Sequence, residues 1–149
     1  MNQSNANPVP EILIFGEILF DLFPDRACCG GAPLNLAVHL TRLGENVGLI
    51  SAIGNGALGV KAKKILTEQQ ISRSMVATVK YLTGSVNITL DDAKVPTYHF
   101  CGDCAYDHIP LPANLPQEAK MLCFGTLAQR SPESRETLAQ IRKMVDAPV

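Results

Sequence analysis

The sequence has no tryptophan, and its aromatic share is only 5%, so a core must be built mainly from aliphatic side chains. Charge is also scarce. Asp, Glu, Lys and Arg make up 18% of the residues, against about 25% in an ordinary globular domain. Less solvated surface means that more of the chain expects cover, as in a subunit or a piece of a larger fold. Neither sign of charge dominates: 13 Lys and Arg against 14 Asp and Glu leave a net charge of −1. That balance gives no global pull toward nucleic acid or an anionic membrane. No apolar run approaches the roughly 20 residues of a membrane span. Residues 1–10 lack the basic-then-apolar pattern of an export signal and read as a flexible leader. Five cysteines are an odd number, and without an export signal they read as reduced thiols in a cytoplasm. At 149 residues the chain has the length of one domain.

What is present is an alternation of strand and helix. Residues 11–16 are a short apolar run stopped by glycine, which predicts a buried strand, and Ile18–Phe23 predicts a second. Gly30-Gly31-Ala32-Pro33 opens a helix, with proline suited to the first turn. Leu36, Leu40 and Leu43 are expected on its apolar face, and Gly44 stops it. Val47–Ile53 reads as another buried strand. A second helix follows, with Leu58, Ala62, Ile65, Leu66 and Gln69 inward. The next stretch changes character. Met75–Val79, Ser85–Leu90 and Thr97–Phe100 read as short strands, with hairpin-turn chemistry at Asp91-Asp92-Ala93-Lys94. Met121–Phe124 is a last apolar strand. Ser131 and Pro132 start a final helix whose inner face carries Leu138, Ile141 and Val145. The pattern predicts an α/β fold, a mostly parallel sheet with a small extra sheet. Ala147-Pro148-Val149 has the look of an entry to a further strand, and a parallel sheet interrupted there would expose an apolar edge and self-associate.

Several groups could carry chemistry. Gly30 and Gly31 let backbone approach a ligand closely. The helix mouth offers free N–H groups, and Asn35 in the first turn can both donate to and accept from a hydroxyl. Asp21 at the end of an apolar stretch needs partners and could accept from two hydroxyls at once, whereas Glu17 reads as structural. Tyr98 and Phe100 point the same way on a strand and could stack on a sugar ring. Gly54-Asn55-Gly56-Ala57-Leu58-Gly59 matches the dinucleotide pattern G-x-G-x-x-G between a strand and a helix. Residues 75–82, however, contain none of the acids that should hold the ribose. Cys101-Gly102-Asp103-Cys104 lacks both the second pair that zinc requires and the following helix of a redox motif. Its cysteines read as unpaired loop thiols. His39, His99 and His108 read as surface or core residues, and no metal site is expected.

In order along the chain, five segments carry a family resemblance: residues 14–24 (IFGEILFDLFP), 30–44 (GGAPLNLAVHLTRLG), 50–59 (ISAIGNGALG), Thr83-Gly84 with Tyr98-His99-Phe100, and 124–132 (FGTLAQRSP). Together they resemble the N-terminal half of a PfkB (ribokinase-like) carbohydrate kinase, closest to bacterial fructokinases. The resemblance implies a ribokinase-like sheet flanked by helices, with a small β lid and the C-terminal half absent. Residues 11–149 would be the N-terminal part of the kinase domain, with lid strands within about 18–24 and 75–108. Asp21, Gly30, Gly31 and Asn35 would hold sugar hydroxyls, and Tyr98 and Phe100 would belong to the lid.

The same resemblance implies phosphoryl transfer from ATP with Mg²⁺ in the full-length family, to a small-molecule sugar, and a homodimer through the lid sheet. Neither nucleic acid nor membrane is an expected partner. Two features depart from the pattern. Gly56 stands where the family usually has Asp. The family's second signature, a D-T-x-G-A-G-D run that supplies the catalytic base and anion hole, is nowhere in the sequence. No catalytic or nucleotide-binding residue is therefore expected here. The chain reads as a truncated sugar kinase, with a non-catalytic sugar-binding or interaction fragment as the alternative and an NAD-dependent oxidoreductase fragment as a weaker one.

Overall fold

The computed structural model describes residues 9–91 and 93–149. The leader assigned to residues 1–10 thus falls largely outside the described residues, as does Asp92 of the hairpin turn. Four parallel strands form the main sheet: β1 (Ile12–Phe15), β4 (Val47–Gly54), β5 (Val76–Val79) and β8 (Met121–Phe124), in the order β5-β4-β1-β8. β4 is buried at all eight positions, as a parallel strand covered on both faces should be. Its side chains alternate between two apolar clusters. Ile50 and Ala52 join Leu13, Phe15 and Leu122 on one face. Leu49 and Ile53 join Ile14 on the other.

Helix α1 (Ala32–Arg42) and helix α2 (Ala57–Glu68) cover the second face through Leu34, Ala37, Ala62 and Leu66. Helix α3 (Pro132–Met144) covers the first through Leu138 and Ile141, with Val145 just beyond it and the short 3₁₀ turn Ala105–His108 beside it. Beyond α3 the chain lies along the outer edge of β8, where Leu122 N–H donates to Pro148 O at 2.9 Å.

The small sheet has the order β3-β2-β6-β7, from β2 (Leu19–Leu22), β3 (Ala27–Gly30), β6 (Gly84–Leu90) and β7 (Pro96–Phe100). The lid strands expected within 18–24 and 75–108 include β2, β6 and β7. β5 belongs to the main sheet, so from residues 75–108 only β6 and β7 enter the small one. β3 was not foreseen: the run Ala27-Cys28-Cys29-Gly30 has no alternation, and it becomes a strand because the turn closed by Phe23 N–H to Arg26 O (2.8 Å) returns it antiparallel to β2.

The inward face of α1 is also rotated from the expected one. Pro33, Leu34 and Ala37 are buried, Leu40 is partly buried, and Leu36 and Leu43 are exposed. Small Ala37 lets the helix lie close to the strands, and Pro33 fixes its approach. At the start of α3, Ser131 does not cap with its side chain; its hydroxyl donates to Asp107 O at 2.5 Å instead.

The glycine pattern at 54–59 serves packing. A Cβ on Gly59 would collide with Gly54 O, whereas a Cβ on Gly56 would meet nothing within 4 Å. Gly54 N–H is held by the buried Thr83 Oγ1 at 2.9 Å. Gly59→Ala is expected to destabilise by about 1–3 kcal/mol through overpacking. Gly56→Ala should change stability by less than about 0.5 kcal/mol. Urea unfolding of the two variants separates them, and equal losses would contradict the packing role.

Candidate functional site

Open α/β sheets bind ligands at the carboxyl ends of their strands. Here β1 runs into Gly16 and Glu17, β8 into Gly125, and the mouth of α1 sits over both. Pro33 is wedged between the two glycines: a Cβ on Gly16 would lie 2.5 Å from Pro33 Cγ, and one on Gly125 2.7 Å from the same atom. Gly31, at the N-cap of α1, has φ +110°, a region that side chains with a Cβ rarely adopt. Any Cβ there would also lie 2.6 Å from Glu17 O.

Beneath this mouth lies Glu17, 4% exposed. Its Oε1 accepts from Ala32 N–H at 3.2 Å and so caps α1. A carboxylate at a helix N-terminus is favoured by the helix dipole. Its Oε2 is buried without a hydrogen-bond partner among the described residues and lies 2.9 Å from where a Cβ on Gly125 would be. Burial raises the Glu17 pKa above 4.5, against the lowering effect of the N–H groups of Glu17 and Ala32. The structural role read from the sequence for Glu17 is therefore a specific one: it supports the helix mouth.

Asp21, Gly30, Gly31 and Asn35 come together at that mouth. The antiparallel pairing of β2 with β3 sets Gly30 opposite Leu19, and a Cβ on Gly30 would lie 3.6 Å from Asp21 Oδ2. Asn35 N–H donates to Gly31 O at 2.9 Å, which places its exposed side chain one turn inside α1. Tyr98 and Phe100 are not part of this cluster. Phe100 pairs with Val86, Val86 with Asp21, and Tyr98 with Ile88. Both aromatic residues thus share the Asp21 face of the small sheet, Phe100 two strand spacings away, about 10 Å, and Tyr98 two residues further along β7. Both are about half exposed.

Three cavities, of about 600, 590 and 320 Å³, are lined by other residues. The largest lies around Asn46, Thr67 and Ser72–Met75, where β4 and β5 begin, at the opposite end of the sheet from the helix mouth.

Sequence reasoning missed the cluster at the root of the small sheet. Arg130 binds Asp107 with two hydrogen bonds, Nε to Oδ1 at 2.8 Å and Nη2 to Oδ2 at 2.7 Å, and reaches the carbonyls of Cys101 and Gly102. Asp107 keeps a pKa below its ordinary value although burial works the other way, because Arg130 and the Cys104 N–H favour its charged form. His108 lies flat on Tyr81, ring centroids 3.5 Å apart, with Asp103 and Glu133 on its two nitrogens. The only signals in the sequence were the basic residue in A-Q-R-S-P and the C-x-x-C spacing.

The pfkB family carbohydrate kinase profile matches residues 26–147. Fructokinase from Salmonella typhimurium is 31% identical over 135 residues, 85% of this chain and 44% of that protein. Among solved structures, an uncharacterized sugar kinase from Pyrococcus horikoshii superposes with TM-score 0.78 at 30% identity, over 89% of this chain and 50% of that one. Fructokinase from Vibrio cholerae shares the fold, with TM-score 0.80 at 23% identity over 91% of this chain and 50% of that one. The chain therefore spans about half the length of the proteins it matches.

Because folding favours the protonated Glu17 carboxyl, the stability it allows is complete below pH 4.5 and is lost as pH rises through the raised folded-state value. Glu17→Gln, which stays neutral, should not share that loss. The unfolding free energy of the variant is expected to gain on the wild type as pH rises from 4 to about 8, measured by urea unfolding at each pH. A difference independent of pH would contradict a raised Glu17 pKa.

Proposed function

We propose that this chain, which belongs to the pfkB family of carbohydrate kinases, forms the sugar-holding half of a kinase of the fructokinase type. The observation that carries the reading is the convergence of Asp21, Gly30, Gly31 and Asn35 at one helix mouth. Asp21 Oδ1 and Oδ2 accept from two hydroxyls of the sugar. The two glycines let the hydroxylated ring approach backbone, and the Asn35 amide serves a further hydroxyl as donor or acceptor. The exposed aromatic faces of Tyr98 and Phe100 belong to a lid that shields the ring from water as it closes. The outer strand of that lid, β7, is exposed along its whole length, and it is the surface through which two copies of the chain would pair. Relatives support the substrate class. The Vibrio cholerae fructokinase is solved with fructose, ADP and potassium ion, and the Pyrococcus horikoshii sugar kinase with ATP. A cytoplasmic place goes with the reduced-thiol reading of the sequence.

ATP and Mg²⁺ belong to the family reaction, but the residues here do not fit them. Among the described residues no group of three or more His, Cys, Asp or Glu side chains could hold a metal ion. The sequence also has no D-T-x-G-A-G-D run to supply base and anion hole. What this chain's own residues do is bind and orient the sugar and exclude water from it.

Calorimetry of the purified chain with fructose is expected to show saturable binding. Asp21→Asn should weaken it roughly tenfold or more, the loss of a charge-assisted hydrogen bond worth about 1.5–3 kcal/mol. With ATP and Mg²⁺ added, no sugar phosphate should form. Absence of binding would leave the non-catalytic interaction fragment as the reading, and formation of sugar phosphate by the 149 residues would overturn the assignment of the base to residues they lack.

A further inference from the structure

The root of β7 carries a feature that the sugar reading does not use. Cys101 directly follows that strand, and its Sγ lies 2.7 Å from Cys104 Sγ. Both are free thiols in the loop between β7 and the 105–108 turn, as the sequence suggests, but their sulphurs are in contact. Cys101 is partly exposed and lines the 320 Å³ cavity with Leu58, Leu82, Ser85 and Asp103. Cys104 is buried. Ser85 N–H donates to Cys101 Sγ at 3.2 Å, and the Tyr106 hydroxyl is 4.0 Å away. The Arg130 guanidinium holds the Cys101 and Gly102 carbonyls and reaches Cys104 Sγ at 3.5 Å. On the far side of Cys104, Asp107 Oδ2 lies 3.4 Å from its sulphur. Asp107 thus opposes negative charge on Cys104 although Arg130 lies beside that sulphur, while Cys101 is the more exposed of the two and takes the Ser85 N–H.

We infer that Cys101 and Cys104 form a redox-active dithiol, which a hydroperoxide entering from the cavity converts to a disulfide with Cys101 as the attacking sulphur. The Cys101 thiolate attacks one peroxide oxygen. The O–O bond breaks, the departing oxygen takes up a proton and leaves as water or an alcohol, and Cys101 becomes a sulfenic acid. Cys104 then attacks that sulphur, the S–O bond breaks, water leaves and the S–S bond forms. Two thiols and one hydroperoxide give one disulfide, one water and one alcohol (a second water from hydrogen peroxide). The sulphurs lose two electrons in all and the peroxide oxygens gain them. The hydrogen bond from Cys104, followed by those from Ser85 and Tyr106 and the charge of Arg130, draws Cys101 below the ordinary thiol pKa against its burial. Cys104 moves the other way. The remaining partly buried thiols are poorer nucleophiles: burial pushes Cys29 up to about 11 and raises Cys123. The consequence for the fold is local. The new bond would tie the end of β7 to the 105–108 turn, at the root of the small sheet.

The test uses the whole chain and hydrogen peroxide at one equivalent, near neutral pH, followed by alkylation and tryptic mapping. Cleavage after Arg26, Arg42, Lys94, Lys120 and Arg130 puts Cys28 with Cys29, Cys101 with Cys104, and Cys123 on three separate peptides. The expected result is an unalkylated 95–120 peptide lighter by two hydrogen atoms and restored by dithiothreitol, while the other cysteines remain alkylated. In Cys104→Ser, dimedone should trap a sulfenic acid on Cys101. Alkylation of Cys101 and Cys104 after Cys28, Cys29 or Cys123 has reacted would overturn the proposal. Oxidation of Cys101 to the sulfinic acid in the wild type without a disulfide would do the same. None of these readouts depends on sugar binding.

Discussion

A single buried carboxyl under the mouth of α1 fixes where everything else at the carboxyl end of the sheet must go. Glu17 joins the end of β1 to the first turn of α1 through Ala32 N–H, touches the backbone space of Gly31, and crowds Gly125 at the end of β8. Three pieces of chain far apart in sequence thereby share one acid. The arrangement carries a cost, since Oε2 has no partner among the described residues and a buried polar group without one is unfavourable. Burial pushes the carboxyl toward its neutral form, and the hydrogen bond from Ala32 N–H offsets part of that cost. The mouth it supports is bordered by Gly31 at the helix N-cap and by Gly125 at the end of β8.

The small sheet extends this arrangement. β2 carries Asp21 out from the same Gly16-Glu17 turn, and β3 brings Gly30 and Gly31 back to it. β6 and β7 then hang beyond β2, so any movement of the outer strands pivots on their roots. Those roots are polar and tightly bonded. Arg130, Asp107, Ser131 and Ser134 join the 105–108 turn to the start of α3, and the Cys101–Cys104 pair sits where the outermost strand ends. The strands β2, β6 and β7 thus join Asp21 on one side to the Cys101–Cys104 pair on the other.

Much of this was legible in the sequence. The apolar runs at 11–16 and 47–53 predict buried strands and 121–124 a further strand, of which only Leu122 is fully buried, and Pro33 and Pro132 mark helix starts. The cluster of Asp21 with the glycine pair was legible only as a resemblance. Its physical cause, antiparallel return of β3 onto β2, was hidden because Ala27-Cys28-Cys29-Gly30 shows no alternation. The buried face of α1 differs from the one that leucine spacing predicts because the small Ala37, with Pro33 and Leu34, lies against the sheet. β5 joined the main sheet rather than the lid because a strand following α2 closes a parallel β-α-β unit, a topological constraint that strand length does not reveal. The Cys101–Cys104 contact follows from the local C-x-x-C spacing, but the Arg130 contacts join loops 26 to 29 residues apart, and no local pattern encodes those.

The central claim is that the mouth of α1 above Glu17 is where a sugar's hydroxyls are held. The most direct measurement is the set of backbone amide chemical shifts of the isotope-labelled chain during a fructose titration. Saturable shifts at Asp21, Gly30, Gly31 and Asn35, following a single binding curve, are expected. Shifts absent from these four residues, or confined to the cavity around Ser72–Met75 at the other end of the sheet, would contradict it.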